Sequence, residues 1–197
     1  MPCTGGRVGH PQRGCGHRCR TGRGKGGSDT RAMTGNASLA LDELVDADIA
    51  MIAGWDCDER THYFWCGTVM SFPPRARDIA RHVRHVSGPS HLVRAVRVDG
   101  QIGGFIELDL GGAGHGTLER VLLAPHLRGR GLGPDLMVAA SQLALAAGVD
   151  RLHLVVSTVN TPAVRTYLRA GFVVDETVPA ADRPWTKHLM TLTLGSG

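Results

Sequence analysis

The chain has 197 residues with 42% apolar and 20% charged side chains, a balance that excludes wholesale disorder, collagen-like repetition and a multi-span membrane protein. Its formal charge of +4 is unevenly spread: residues 1–35 carry seven basic side chains against Asp29 alone and ten of the 27 glycines, whereas residues 36–197 hold 15 basic and 17 acidic groups. The basic character belongs to the tail, so nucleic-acid contact is expected nowhere outside it.

Residues 1–35 have almost no large apolar side chains to offset the entropy of ordering, and are expected to be a disordered, basic, Gly/Arg-rich extension with Met33 as the effective start. A zinc site from Cys3, His10, Cys15, His17 and Cys19 is disfavoured, because Cys15 and Cys19 make one loose pair without a second, so no metal is expected. Five cysteines without framework spacing, and a start lacking an apolar leader, point to a reduced, cytoplasmic protein with no membrane partner.

From residue 39, Leu41, Leu44, Val45, Ile49 and Ile52 recur at three-to-four spacing and predict an amphipathic helix. An aromatic patch follows (Trp55, Tyr63, Phe64, Trp65), suited to a core or to a pocket wall. Beyond Pro73-Pro74, Ile79, Val83 and Val86 again have helical spacing. Residues 91–98 (HLVRAVRV) and 101–110 (QIGGFIELDL) alternate on either side of Asp99-Gly100, a two-residue turn, and predict an antiparallel hairpin. The loop GGAGHG leads to a third strand, residues 117–124, which Pro125 ends. Consecutive strands imply a largely antiparallel sheet.

After that strand come Arg128, Gly129, Arg130, Gly131, Leu132 and Gly133, then an apolar-faced helix over 134–147. A strand, a glycine turn and a helix start make an anion cradle: free first-turn amides and the helix dipole favour a phosphate, and the two arginines add cationic donors. The turn lacks the Gly-Lys-Ser/Thr ending of a nucleotide-hydrolysing loop, and Pro134 stands where a dinucleotide fingerprint needs glycine. Residues 151–157 (RLHLVVS) read as a further strand. Thr161 and Pro162 are expected as the N-cap and first position of a helix with Tyr167 on its apolar face, closed by Gly171, and residues 188–194 as a final strand.

Arg128, Gly131 and Gly133 fit the Gln/Arg-x-x-Gly-x-Gly/Ala motif, and Asn160 to Phe172 (NTPAVRTYLRAGF) fits the Asn-x-x-Ala-x-x-x-Tyr-x-x-x-Gly-Phe segment, of the GCN5-related N-acetyltransferase (GNAT) superfamily, which residues 90–175 resemble. The resemblance implies a single α/β (α+β) domain over 36–197. Its mixed, mostly antiparallel sheet of six to seven strands would be splayed between the fourth and fifth and flanked by helices. It implies acetyl-CoA as co-substrate, held by the strand at Val121, Leu122 and Leu123, by the turn Arg128, Gly129, Arg130, Gly131, Leu132 and Gly133, and by Asn160 and Ala163.

It further implies direct acetyl transfer to an amine of a small molecule or peptide, with Tyr167 as proton donor to the departing thiolate. Some members carry a Glu in the fifth strand where this chain has Val155. Glu119, expected on the face of Val121 and Leu123, is then the candidate base, with Glu107 and His115 behind it. The acceptor would lie between the first helices and a late loop, residues 176–187, with Trp185 closing one wall. A non-catalytic acyl-CoA-binding module is the alternative function, and a homodimer is an assembly open to the chain.

Overall fold

The computed structural model describes residues 37–55 and 57–195; the expectations for residues 1–35 lie outside this range. The described residues begin with strand β1 (Leu39–Glu43) and helix α1 (Asp46–Ala53), where the sequence predicts one helix from residue 39. The side chains of Leu39 and Leu41 alternate in the strand, and their spacing to Leu44 and Val45 merely coincides with a helical period. Asp48 sets the start of α1: its carboxylate accepts the Val45 N–H at 3.1 Å and two N–H groups of Arg97 at 2.7 and 2.8 Å. The aromatic patch lies on helix α2 (Glu59–Cys66), opened by Asp58, whose carboxylate accepts the Thr61 N–H. Helix α3 (Ala76–Val86) follows as expected.

Strands β2 (His91–Val98) and β3 (Gln101–Asp109) form the predicted hairpin, with Asp99 and Gly100 both at positive φ. Strand β4 (His115–Leu123) pairs antiparallel with β3. A short 3-10 turn, Pro125–Leu127, leads to helix α4 (Leu132–Ala146). Then come β5 (Arg151–Ser157), helix α5 (Thr161–Arg169), β6 (Val173–Pro179) and β7 (Thr186–Thr193). Asn160, not Thr161, is the N-cap of α5, so Pro162 occupies the second helical position, where its missing N–H still costs no intrahelical bond. The expected late loop is shorter than 176–187, because β6 and β7 extend into it from both sides.

The sheet order is β1-β2-β3-β4-β5-β7-β6, antiparallel throughout except between β4 and β5. Helices α4 and α5 cover one face, where Ile106, Leu108, Leu136 and Leu152 pack, and α1 to α3 cover the other around Ile52, Ile79 and Phe105. Phe105, Ile106 and Leu108 are fully buried, and each contributes about 1.5–3 kcal/mol through area removed from water. No helix among the described residues is long and apolar enough to cross a membrane.

Candidate functional site

The β4–β5 pairing holds for three residues only, His115 opposite Arg151 through Thr117 opposite His153, and beyond it the strands part. A cleft of about 270 Å³ occupies the gap. Glu119 and Val121 line it from β4, Val155 and Ser157 from β5, and Asn160, Ala163 and Tyr167 from α5. Tyr63, Phe64 and Trp65 of α2 close one side, and Lys187 of β7 reaches it from beyond β5. His115 stands at the paired end of β4, its Nδ1 3.1 Å from Nε2 of His153, and does not line the cleft.

A bulge in β4 decides which side chains face which way. Phe105 pairs with Leu122 and Glu107 with Glu119, so two steps of β3 span three of β4, and the extra residue falls at Arg120, with φ +46°. The flip sends Leu118 to the α4 side and Leu122 to the α1–α3 side, although both occupy even positions. It also corrects the expectation for Glu119. That residue pairs with Glu107 on the α1–α3 side of the sheet, whereas Val121 and Leu123 pack with the α4 side.

Behind Glu119 lies a polar cluster drawn from four elements. Glu107, fully buried, meets His82 Nε2 at 2.8 Å, His91 Nε2 at 3.1 Å and Arg120 Nη1 at 2.8 Å. Burial alone would raise its carboxyl, but the bond from His82, the charges of Arg120 and His82 and the bond from His91 outweigh that and hold it below the usual carboxylate range. Arg120 Nη1 also bonds Glu119. Glu107, Glu119 and His91 bring ligand atoms within 4.8 Å of one another, and the guanidinium already takes the place between the carboxylates that suits a cation. Trp65 Nε1 donates to the Arg120 carbonyl at 3.1 Å, pinning the bulge to α2.

Of the expected cofactor-binding residues, Val121, Asn160 and Ala163 line the cleft, and Arg128 to Gly133 lie at the start of α4. Ala124 N–H donates to Gly103 of β3, so by alternation the amides of Leu123 and Val121 face the gap, while that of Leu122 faces β3. Arg128 Nε donates to the Leu123 carbonyl at 2.8 Å, placing its remaining guanidinium nitrogens beside this edge. Gly131 caps α4 at φ +82°, a conformation that turns the first amides of a 15-residue helix outward. Gly133 serves packing instead: a Cβ there would lie 2.6 Å from Cγ2 of Thr166 on α5. Arg128, Gly129, Arg130 and Gly131 are exposed and Leu132 is buried beneath them. The Asn160 side chain makes no cap bond of its own.

Tyr167 is buried against Phe172, and burial pushes its hydroxyl up to about 12, so it remains a neutral donor. On the opposite side, Tyr63 donates to Asp182 at 2.9 Å, and Trp185 meets the rings of Tyr63 and Phe64 edge-on at 5.7 and 6.2 Å, behind the cleft lining rather than in it. Sequence reasoning missed His82, His91, Arg120, Ser157 and Lys187. One signal was available for the last: 20 of the 22 cationic residues are arginine, and Lys187 is the single lysine after residue 25.

A family model described as the acetyltransferase (GNAT) family matches residues 50–172. The streptothricin acetyltransferase of Streptomyces lavendulae is 38% identical over 79 residues, covering 40% of this chain and 42% of that protein. A mycothiol acetyltransferase of Corynebacterium aurimucosum is 43% identical over 61 residues, 31% of this chain and 20% of that protein. The chain thus matches less than half the length of these curated relatives. Among solved structures, the spermidine N-acetyltransferase from Vibrio cholerae in complex with CoA and spermine superposes with a TM-score of 0.68 at 17% identity, over 79% of this chain and 95% of that one. AAC(6')-Ib in complex with ribostamycin and coenzyme A gives 0.66 at 22% identity, over 79% and 93%.

Proposed function

This chain belongs to the acetyltransferase (GNAT) family, and from that premise we propose that residues 36–197 form an enzyme domain moving the acetyl group of acetyl-CoA directly to a primary amine of a small molecule or peptide. The observation that carries the reading is the cleft where β4 and β5 part, with a buried neutral phenol on its α5 side and a carboxylate on the other. The residues present fit acetyl-CoA: amides of Val121 and Leu123 face the gap, and the Arg128 to Gly133 turn aims helix amides at a pyrophosphate. Asn160 and Ala163 would flank the arm between them.

Bound there, acetyl-CoA supplies an activated acetyl thioester. A lysine-like amine is mostly protonated at neutral pH and must shed a proton before it can attack; Glu119, a cleft-lining carboxylate, would accept it in this reading. Tyr167 lies on the far side of the gap, where the departing sulfur would sit. With its hydroxyl pushed up to about 12 by burial, it keeps its proton at neutral pH and is available to donate it to the departing thiolate. The second amine proton, released as the N–C bond forms, would restore the phenol.

The test is calorimetric titration of acetyl-CoA and desacetyl-CoA, followed by an amine screen with Tyr167→Phe alongside the wild type. Binding of both ligands, with a rate loss on the order of a hundredfold or more in the variant at unchanged cofactor affinity, supports the reading. Binding without turnover on any amine would make the chain an acyl-CoA-binding module. Absence of binding by folded protein would end both.

A further inference from the structure

Lys187 is the only lysine among the described residues, in a chain where 20 of the 22 lysines and arginines are arginine. It sits on β7 between Ser157 of β5 and Val178 of β6. Along β5, Leu152, Leu154 and Val156 pack toward α4 and α5, so Val155 and Ser157, with their partners Leu189 and Lys187, face the other way. That is the side on which Glu119 stands. The two residues therefore line one cleft from its opposite walls, on the side from which an amine would approach, with Tyr167 beyond the gap. The Lys187 ammonium takes part in no ion pair or hydrogen bond with the described residues. Were a fixed charge for a carboxylate needed here, a guanidinium would serve better, with its bidentate fork, and this chain has arginine at nearly every other cationic position. An ammonium offers what arginine lacks, a nitrogen that becomes a nucleophile on losing a proton.

We infer that Lys187 is an acetyl acceptor within its own active site, so that the protein acetylates itself there; the inference rests on the acetyl transfer proposed above. Its ammonium first gives one proton to Glu119, which passes it to water, and the free Nζ amine then forms the N–C bond to the thioester carbonyl. The C–S bond breaks with its electron pair passing to sulfur, the second nitrogen proton ends on sulfur, and free CoA thiol leaves. The product is a neutral amide on the acceptor side of the cleft. The added acetyl group takes up room on the side from which an amine would enter, which makes the modification a brake on the enzyme.

The full chain is incubated with isotope-labelled acetyl-CoA, sampled over time, and analysed by intact mass and peptide mapping. Lys25 in the same molecules is the reference for chemical acetylation. The expected result is one acetyl group on Lys187, appearing on the order of a hundredfold faster than on Lys25, as positioning of the reacting groups provides. Its rate constant is independent of protein concentration, it falls in Tyr167→Phe while that of Lys25 does not, and the label is absent from Lys187→Arg. Modification of Lys187 no faster than of Lys25, or equally fast in Tyr167→Phe, overturns the inference. Acetyl-CoA binding measured in parallel separates the two levels: binding with Lys187 unmodified sinks this inference alone, and no binding sinks the proposed function with it.

Discussion

Replacing Glu107 with glutamine tests whether the buried cluster holds the acceptor side of the site together. A carboxylate only accepts, so its three neighbours must all present N–H groups: His82 Nε2 at 2.8 Å, His91 Nε2 at 3.1 Å and Arg120 Nη1 at 2.8 Å. Glutamine keeps one accepting oxygen and turns the other into a donor, so at least one of these contacts becomes N–H against N–H. The Arg120 guanidinium, whose Nε already lacks a partner, is left with Glu119 as its only anion among the described residues.

A hydrogen bond to a charged group contributes about 1.5–3 kcal/mol, and breaking a buried ion pair from one side costs about 3–5, so a loss of about 3 kcal/mol is expected. Against a total of about 5–15 kcal/mol this is large, and with an m-value of about 2 kcal/mol/M it lowers the urea midpoint by about 1.5 M. The native carboxyl lies below its unfolded value of 4.5, so its stabilisation is complete above pH 4.5 and is lost as pH falls through the native value. The gap between wild type and Glu107→Gln should thus close as pH falls below about 4.5. A midpoint shift below about 0.5 M at pH 7, or a gap that fails to close in strongly acid solution, would refute the reasoning.

Gly133→Ala places a methyl 2.6 Å from Thr166 Cγ2, and overpacking of this kind should cost about 1–3 kcal/mol; Thr166→Ala in the same chain should restore most of it, as thermal melts of the two single variants and the double would report. With its hydroxyl at about 12 in the native state and about 10 unfolded, Tyr167 favours the native state below pH 10 and withdraws that support as pH rises between the two values. Tyr167→Phe should accordingly flatten the alkaline fall of stability over that interval, measured by urea titration at successive pH values.

The parts of the fold written by local rules were legible in the sequence. The β2–β3 hairpin announces itself by alternation around Asp99-Gly100, and β5 and α4 by the periodicity of their apolar residues. Helix α2 was hidden because its buried face is made of His62, Tyr63, Trp65 and Cys66, residues that also occur in loops and pockets. Strand β1 was absorbed into a helical period because five residues hold too few alternations to resist it. Of the candidate site, the Gly131 turn and Tyr167 follow from short motifs. The orientation of Glu119 does not, because one extra residue at Arg120 reverses every later side chain in β4, and nothing in LERVLL marks where pairing slips. The Glu107 cluster was equally unreadable: its members come from α3, β2, β3 and β4 and are neighbours only after folding.

The three-residue seam between β4 and β5 has a bearing on cooperativity. Strands β1 to β4 form one ladder, and β5, β7 and β6 form another in which β7 lies between β5 and β6; the three-residue seam and a shared core under α4 and α5 join them. Each ladder is complete without the seam, so local opening can begin at the cleft end of β4 and β5 without unfolding either. A molecule lying along the gap would touch both halves at once and add its binding free energy to that joint. Slowed amide exchange would then spread from the cleft into both halves.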